Sequence, residues 1–249
     1  MAKDTIIIGG SITGLMCGIM LKHHGYNVTI IEQEASTFRP GYNAGMSLRG
    51  EAGAFLEAHD RVGRDMVIEG TSGENRPAPQ RGITLRNTSW GLLVRVLRAN
   101  FDGVMSKAVP VAPATRKGSG KTMFKNGVRG VNLQEAGQKV TVERTLLSDV
   151  NRDYLGYFCW RGTVPEELVD EKWNKVYLGK TMFEFLDQSY LIIYTIPTDE
   201  GDFSPRKRLH NWVWYPKMTE SPEMNDLFTD VNGLENCGTV PRNLVRPEA

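Results

Sequence analysis

The chain has 249 residues, and its 30 Lys and Arg residues nearly balance its 29 Asp and Glu residues, leaving a formal net charge of +1. A chain of this length forms one large domain or two small ones, and it can bury a hydrophobic core without needing disulfides or bound metals for stability. Its composition, 40% hydrophobic and 9% aromatic, excludes a disordered or fibrous protein. The balanced charge gives no overall field that would attract nucleic acid or an anionic membrane.

Cysteine usage and the N-terminus bear on the cellular compartment. The three cysteines, Cys17, Cys159 and Cys237, lie far apart, so we expect neither a disulfide framework nor a zinc cluster. The first residues lead straight into an apolar run without a signal-peptide pattern, and no apolar stretch is long enough to span a membrane. We therefore expect a cytoplasmic protein without a metal site and without nucleic-acid or membrane partners.

The first third of the chain has the clearest structural pattern. Residues 5–8 form a short β-branched run, and apolar residues then recur at helical spacing over residues 12–24, where Gly25 ends the helix. Residues 28–31 form a second apolar run. A strand, a glycine turn, a helix and a strand within about 30 residues make a βαβ unit and imply a buried parallel sheet.

The rest of the chain predicts two more helices and then mostly strands. The helices are predicted over residues 50–60 and 89–100, and short strands with glycine turns over residues 122–142 indicate an antiparallel ribbon. Later strands are predicted over residues 154–163, 181–186, 190–196 and 210–215. In the last of these, the alternating Trp212 and Trp214, with Tyr215, favour a core face over a surface that stacks on a ring ligand.

The glycine turn after the first strand carries the strongest functional signal. A dinucleotide fingerprint needs one glycine for the turn, a second where the backbone approaches the pyrophosphate, and a third where the helix packs on the strand. Gly9 and Gly14 take the first and third positions, and Ser11 takes the second. Serine is small and its hydroxyl can donate to phosphate, and the following helix offers unpaired N–H groups to an anion.

An acidic residue at the end of the second strand completes the pattern. Glu32 follows Gly9 by 23 residues, close to the spacing of about 20 residues at which the fingerprint places a ribose-binding acid. A carboxylate there accepts hydrogen bonds from ribose hydroxyls and repels a 2′-phosphate, which favours FAD or NAD over NADP. A glycine turn can also occur in a βαβ unit that binds nothing, but the complete combination favours a dinucleotide site.

These motifs resemble those of the flavin-dependent aromatic hydroxylases. The glycine turn and the strand ending at Glu32 resemble the N-terminus of that family, and the Gly-Gly-Ser form is similar to its 2,6-dihydroxypyridine 3-monooxygenase branch. Further strings similar to that branch, in the same order along the chain, are found at residues 89–103, 154–167 and 211–215.

The resemblance implies FAD as prosthetic group, NADH or NADPH as reductant, and O₂-dependent hydroxylation of a small aromatic ring. It also implies that the glycine turn holds the pyrophosphate, that Glu32 holds the ribose, and that Gly45 lies near the flavin. The predicted cofactor-binding residues are Gly9, Gly10, Ser11, Ile12, Thr13, Gly14, Glu32, Gln33 and Gly45. Trp90 stands where the family commonly has a helix-opening arginine, for which Arg95 and Arg98 are weak substitutes; no catalytic residue is nominated.

The expected fold class is α/β, with an incomplete FAD-binding Rossmann-like (βαβ) unit, an antiparallel β ribbon and a β-sheet substrate region. Residues 1–145 would form the dinucleotide-binding portion, and residues 146–249 a shortened β-rich portion. Two family signatures are not found: an Ala-Asp-x-x-Ile-Gly-Ala-Asp-Gly segment before Tyr154, and a Gly-Asp-Ala segment, which would lie beyond Ala249. We therefore expect a shortened chain that lacks one parallel strand and leaves apolar edges uncovered.

Three interpretations of function follow from these observations. The first is an FAD-dependent monooxygenase that hydroxylates an aromatic or N-heteroaromatic ring, and the sequence leaves open whether the shortened chain is active. The second is a non-catalytic nucleotide-binding remnant or interaction protein. The third is an NAD-linked reductase that uses the first fingerprint alone, against which the later hydroxylase-like strings count.

Overall fold

The computed structural model describes residues 3–39, 44–72, 82–128, 132–135, 138–141, 154–236 and 238–247. Their helices are α1 (Ile12–His23), α2 (Gly50–His59), α3 (Trp90–Asp102), α4 (Glu171–Tyr177) and α5 (Pro222–Leu227), with 3₁₀ turns at Glu166–Leu168 and Arg242–Leu244. Their strands are β1 (Asp4–Ile8), β2 (Asn27–Ile31), β3 (Gly45–Leu48), β4 (Ile68–Ser72), β5 (Thr84–Ser89), β6 (Thr122–Lys125), β7 (Asn132–Glu135), β8 (Gln138–Thr141), β9 (Trp160–Pro165), β10 (Lys180–Leu186), β11 (Ser189–Ile196) and β12 (Leu209–Pro216). The predicted α/β fold class is confirmed, and α1, α2 and α3 lie within a few residues of their predicted positions.

The first sheet is small and parallel, with the strand order β1-β2-β6. The unit β1-α1-β2 is the predicted βαβ unit. The antiparallel ribbon predicted over residues 122–142 is present at β7 and β8, but its predicted extent was wrong, because β6 joins β2 in parallel. A period-two pattern predicts a strand but not its partner, and Phe124 of β6 packs against the core beneath β2.

The main hydrophobic core lies between this sheet and helices α1 and α3. Leu15 and Ile19 of α1 and Leu92, Leu97 and Phe101 of α3 are almost completely buried. Each such side chain contributes roughly 1.5–3 kcal/mol on burial. The core therefore fixes α1, and with it the glycine turn, against α3.

The opposite face of the small sheet is apolar and exposed. Ile6 and Ile8 of β1 are 66% and 46% exposed, and Met123 of β6 is 53% exposed. Strands of a parallel sheet are usually covered on both faces. The sequence analysis expected one parallel strand to be missing and apolar edges to be left uncovered, and this apolar face is uncovered in the described structure. The segment in which the missing strand would fall lies outside the described residues.

The second sheet has seven strands in the order β3-β5-β4-β10-β11-β12-β9. All neighbours are antiparallel except β4 and β10, where Thr71 and Ser72 pair with Lys180 and Thr181. Strands from before and after residue 145 therefore share one sheet. The division into residues 1–145 and 146–249 describes the order along the chain and does not coincide with the division into sheets.

The helices of the described ranges were also compared with the dimensions of a bilayer. None of them combines the length and the apolar character that a membrane crossing requires.

Candidate functional site

The predicted glycine turn is the junction between β1 and α1. Gly9 has a φ of +99°, a conformation that favours glycine, and its N–H donates to the carbonyl of Ile31 at 2.8 Å. Ser11 is the N-cap of α1, and its hydroxyl accepts no hydrogen bond from the helix. The turn thus connects the ends of both parallel strands and leaves the Ser11 hydroxyl uncommitted to capping.

Two further glycines are required by close packing. A Cβ at Gly14 would lie 2.0 Å from the carbonyl oxygen of Gly9, so the helix could not approach the strand. A Cβ at Gly10 would lie 2.2 Å from Cζ of Phe124 and 3.0 Å from Cβ of Glu32. The turn, which we call the cradle, is therefore packed tightly against Phe124 and Glu32, and side chains at Gly10 and Gly14 would push these elements apart.

The first turn of α1 is suited to an anion. The N–H groups at the start of a helix have no acceptor within the helix, and the dipole adds about 0.3–1 kcal/mol for a negative charge. The first turn, Ile12 to Gly14, contains no acidic residue that would compete for this position. A phosphate is the complementary ligand.

Glu32 lies against the glycine turn. Its Oε2 accepts a hydrogen bond from the N–H of Gly10 at 2.7 Å, and its Oε1 accepts one from the N–H of Glu34 at 2.9 Å. These two bonds hold the carboxylate beside the cradle. The structure thus brings together Gly9, Gly10, Ser11, Gly14 and Glu32, whose role in binding a cofactor stays a prediction.

A groove runs from the glycine turn to the start of α3, and its enclosed part has a volume of about 100 Å³. Gly10, Ser11 and Glu32 line one side, and Arg39, Trp90 and Arg98 line the other. Most small-ligand pockets enclose about 300–1,000 Å³, so a whole dinucleotide would extend into the open part of the groove. Of the nine predicted residues, Gly10, Ser11 and Glu32 line the groove. The other six are not among its described lining residues: Gly9, Ile12, Thr13, Gly14, Gln33 and Gly45.

The two arginines of the groove are already engaged by acidic side chains. Arg98 forms two hydrogen bonds with Asp102, at 3.1 and 2.9 Å, and lies over the ring of Phe124. Arg39 forms an ion pair with Glu34 at 3.3 Å. Of the two arginines named as weak substitutes for the family's arginine, Arg98 lines the groove and Arg95 is not among its described lining residues. Arg39 also lines the groove, and no sequence motif marked it.

The predicted flavin-side residue Gly45 lies at the start of β3, beside β12 of the large sheet. Its N–H donates to Oδ1 of Asn211 at 2.8 Å, and a Cβ at Gly45 would lie 2.5 Å from Cγ of Asn211. Trp90 lines the groove, and its backbone N–H donates to the backbone carbonyl of Ala44, the residue before Gly45, at 2.7 Å. Asn211 was not predicted as a site residue, although it opens the Trp-rich string that resembles the hydroxylase branch.

The face of the large sheet that carries Asn211 is rich in tyrosine. Tyr194 pairs with Asn211 across β11 and β12, and Tyr190 stacks on Tyr215 with ring centroids 4.6 Å apart. Burial raises the pKa of Tyr194 to about 12, so its hydroxyl keeps its proton at neutral pH. This face offers aromatic surface and a neutral donor to a planar ring.

The tryptophans of β12 lie on the opposite face, and the prediction that they belong to the core was wrong. Trp212 and Trp214 line an open apolar cavity of about 400 Å³, and Trp214 is 38% exposed. Alternation along the strand puts them on one face, as predicted, but little of the described part of the chain packs over that face beyond α4. His210 in the same cavity wall is engaged through both ring nitrogens, with Asn174 at 2.6 Å and Thr195 at 3.2 Å, and burial lowers its pKa.

Comparisons with known proteins agree with this geometry. Residues 154–249 match the family model described as FAD binding domain-like, and residues 4–49, which contain the glycine turn and Glu32, match the model of pyridine nucleotide-disulphide oxidoreductases. The chain is 27% identical over 256 residues to 2,6-dihydroxypyridine 3-monooxygenase of Paenarthrobacter nicotinovorans, covering 97% of this chain and 62% of the relative. The two chains are homologous. The predicted resemblance is thereby confirmed, and the chain spans about three fifths of that relative's length.

Solved structures show the same fold. The structure of 2,6-dihydroxypyridine-3-hydroxylase from Arthrobacter nicotinovorans is 21% identical and superimposes with a TM-score of 0.71, over 100% of this chain and 65% of that one. CtdE, solved in complex with FAD, is 12% identical with a TM-score of 0.56, over 89% of this chain and 61% of that one. The fold of this chain is thus shared with both of these structures.

Proposed function

We propose that this protein is an FAD-dependent monooxygenase that hydroxylates a small aromatic or N-heteroaromatic ring with NADH or NADPH and O₂. The observation that carries the proposal is the glycine turn closed on the Glu32 carboxylate, in a chain homologous to a monooxygenase over 97% of its length. That combination supports FAD more strongly than a glycine turn alone would.

The residues present fit the adenosine diphosphate half of FAD. Glycine at positions 10 and 14 keeps the cradle and α1 close to the strands, and the first turn of α1 with the Ser11 hydroxyl would hold the two phosphates. The Glu32 carboxylate beside the turn would accept the ribose hydroxyls. A 2′-phosphate would bring a second negative charge against this carboxylate, so the turn favours FAD or NAD over NADP.

The residues toward the ring half of the cofactor lie at Gly45 and on the tyrosine-bearing face. When bound, the flavin supplies the electron transfer between the pyridine nucleotide and O₂, and the protein supplies binding, orientation and exclusion of water. Gly45 allows β3 to pass directly over Asn211, and Trp90 joins this region to the phosphate groove. These contacts would orient the ring relative to β12.

The substrate that the proposal favours is a hydroxylated pyridine or a related electron-rich ring. The homologue is named for 2,6-dihydroxypyridine. Tyr190 and Tyr215 offer a stacked aromatic surface, and Tyr194 offers a hydroxyl that stays protonated. A planar ring bearing oxygen acceptors matches both features.

The proposal places the protein in the cytoplasm. Cys17 and Cys159 are free and exposed, which is typical of a reducing compartment.

The deciding experiment is a titration of the purified protein with FAD, followed by visible absorbance and flavin fluorescence. We expect saturable FAD binding and NADH or NADPH oxidation that 2,6-dihydroxypyridine stimulates. A colourless protein that binds NAD would support the reductase instead. A protein that binds neither nucleotide and aggregates through the exposed face at Ile6 and Ile8 would support the remnant.

A further inference from the structure

The open cavity on the face of the large sheet that carries Trp212 and Trp214 has the size of a small-molecule site. Its volume is about 400 Å³, within the range of about 300–1,000 Å³ that small-ligand pockets enclose. Residues of β9, β10, β11 and β12 line it, together with Tyr177 of α4 and Val169 of the turn before it. An apolar cavity of about 150 Å³ takes a single benzene ring, so this one has room for two fused rings.

The described lining of this cavity carries no charged side chain. Its residues are aliphatic or aromatic apart from His210. Burial lowers the pKa of His210, so the ring is neutral at neutral pH, and its two nitrogens are already engaged by Asn174 and Thr195. Burying a charge without a partner costs a large free energy. The cavity therefore disfavours ions and fits a neutral ligand.

The aromatic walls of the cavity are held in place by their neighbours. Trp212 pairs with Gly162 of β9, where a Cβ would lie 2.8 Å from Cζ2 of the indole, so glycine lets this ring lie against the strand. Tyr177 meets His210 edge-on with ring centroids 5.8 Å apart, and Trp173 stacks on Tyr177 at 6.2 Å. Walls that are already ordered lose little side-chain entropy when a planar ring packs on them.

The cavity is also accessible from solvent. Trp214 is 38% exposed and Leu186 is 56% exposed, although both are apolar side chains of its lining. Covering such surface is favourable, because apolar area is removed from water. Contiguous exposed apolar surface of this kind often marks a ligand site. A small molecule can therefore reach this cavity without displacing any described part of the chain.

We propose that this cavity binds a neutral, planar molecule of one or two aromatic rings, which packs against Trp212 and Trp214. The site lies on the opposite face of the large sheet from Tyr190 and Tyr215. It is thus separate from the ring surface invoked in the proposed function. The inference does not depend on FAD.

The test is a calorimetric titration of the purified chain at neutral pH with 2-naphthol, which is uncharged, and with 2-naphthoate, which adds a carboxylate charge to the same two rings. We expect saturable one-to-one binding of 2-naphthol and about tenfold or more weaker binding of 2-naphthoate. The titrations are repeated after addition of FAD, with the same expectation. A failure of FAD binding would therefore leave this inference intact, and a failure of 2-naphthol binding would leave the proposed function intact.

The variant Leu191→Trp locates the site. Leu191 lines the cavity, and the larger indole would fill the space that the ligand needs, so we expect loss of 2-naphthol binding with unchanged FAD binding. Leu155→Trp is the matched control, because it places the same side chain at a position that is 75% exposed and outside the described lining. If Leu191→Trp does not fold, Trp214→Ala removes one aromatic wall and should weaken 2-naphthol binding by about tenfold.

Several results would overturn the inference. Wild-type chain that shows no saturable binding of 2-naphthol is one, and equal affinity for 2-naphthoate is another. Binding that survives Leu191→Trp is a third: its loss in Tyr215→Ser would assign the ring to the tyrosine-bearing face, and its loss in Ile6→Ser to the exposed face of the small sheet. A dimer that Leu191→Trp dissociates, in a chain that binds no 2-naphthol, would assign the cavity to a second copy instead.

Discussion

The glycine turn and the contact between Gly45 and Asn211 are built from interactions of different range along the chain. In the small parallel sheet, β1 and β2 are joined by α1 alone, and the glycine turn lies at the β1–α1 junction. In the large sheet, β4 and β10 pair although more than a hundred residues separate them along the chain, and β3 meets β12 through Gly45 and Asn211.

This difference separates the two halves of the candidate site. The proposed phosphate and ribose side lies within the first 32 residues of the chain, and each of its parts can be recognised by spacing. The proposed ring side forms only when the large sheet brings Asn211 beneath Gly45. Variants in each sheet should therefore affect different parts of a dinucleotide.

The largest effect is expected from Gly14→Val in the small sheet. The new side chain would collide with the backbone carbonyl of Gly9, which a Cβ alone would approach to 2.0 Å. We expect a loss of about 3 kcal/mol in unfolding free energy, measured by urea denaturation, and loss of both FAD and ADP binding. Gly50→Ala is the control, since a Cβ at Gly50 meets nothing within 4 Å; unchanged affinity in Gly14→Val would contradict the proposed cradle.

A matching change in the large sheet is Gly45→Ala. Its Cβ would lie 2.5 Å from Cγ of Asn211, so β3 and Asn211 must separate. We expect about 2 kcal/mol of destabilisation and weaker FAD binding, with ADP binding retained. Equal losses for FAD and ADP would show that the two halves of the site are not independent.

The packing of α1 on α3 is tested by Lys22→Met. The buried Nζ of Lys22 donates to the carbonyls of Asn100 at 2.9 Å and Phe101 at 2.7 Å, at the end of α3. Removing it leaves those carbonyls without this donor, and we expect a loss of about 1.5 kcal/mol in the free energy of unfolding. Lys117→Met, at an exposed lysine, serves as the control. Equal stability of the two variants would show that the hydrogen bonds from Lys22 to the end of α3 do not stabilise the fold.

Glu32→Gln tests the proposed role of the Glu32 carboxylate in ribose binding, because glutamine has nearly the same size and shape as glutamate. The variant keeps one oxygen toward the turn but loses the charge that would repel a 2′-phosphate. We expect FAD to bind about tenfold more weakly and the preference for NAD over NADP to shrink. Competition titrations with the two nucleotides measure this preference, and an unchanged ratio would argue against Glu32 as the ribose acceptor.

The smallest effect concerns the contact between α1 and α2. The Nδ1 atoms of His23 and His59 lie 3.1 Å apart. The pKa of His23 is lowered from 6.5 to about 4, mainly because the ring is partly buried and secondly because His59 lies beside it. Between these values the unfolded chain binds a proton that the folded chain does not, so stability should fall as the pH falls from 6.5 toward 4. His23→Gln should flatten the pH dependence of urea midpoints in this window; an unaltered slope would exclude the pair as its cause.

The local half of the site could be predicted because short-range sterics decide it. Only glycine fits at Gly9 with its positive φ and at Gly14 against the Gly9 carbonyl, and the strand geometry then places Glu32 beside the turn. Because these steric requirements are the same in every βαβ unit that binds a dinucleotide, the glycines and the acidic residue recur at a similar spacing and can be recognised in the sequence.

The sequence by itself determined the βαβ unit, the α/β class and the resemblance to flavin-dependent hydroxylases, because turn geometry and apolar periodicity act over a few residues. Only the tertiary structure decided that β6 joins β2, that Trp212 and Trp214 face an open cavity, and that Asn211 is buried with an unpaired donor. Strand alternation specifies two faces, but which face is covered, and by what, depends on pairing between distant segments.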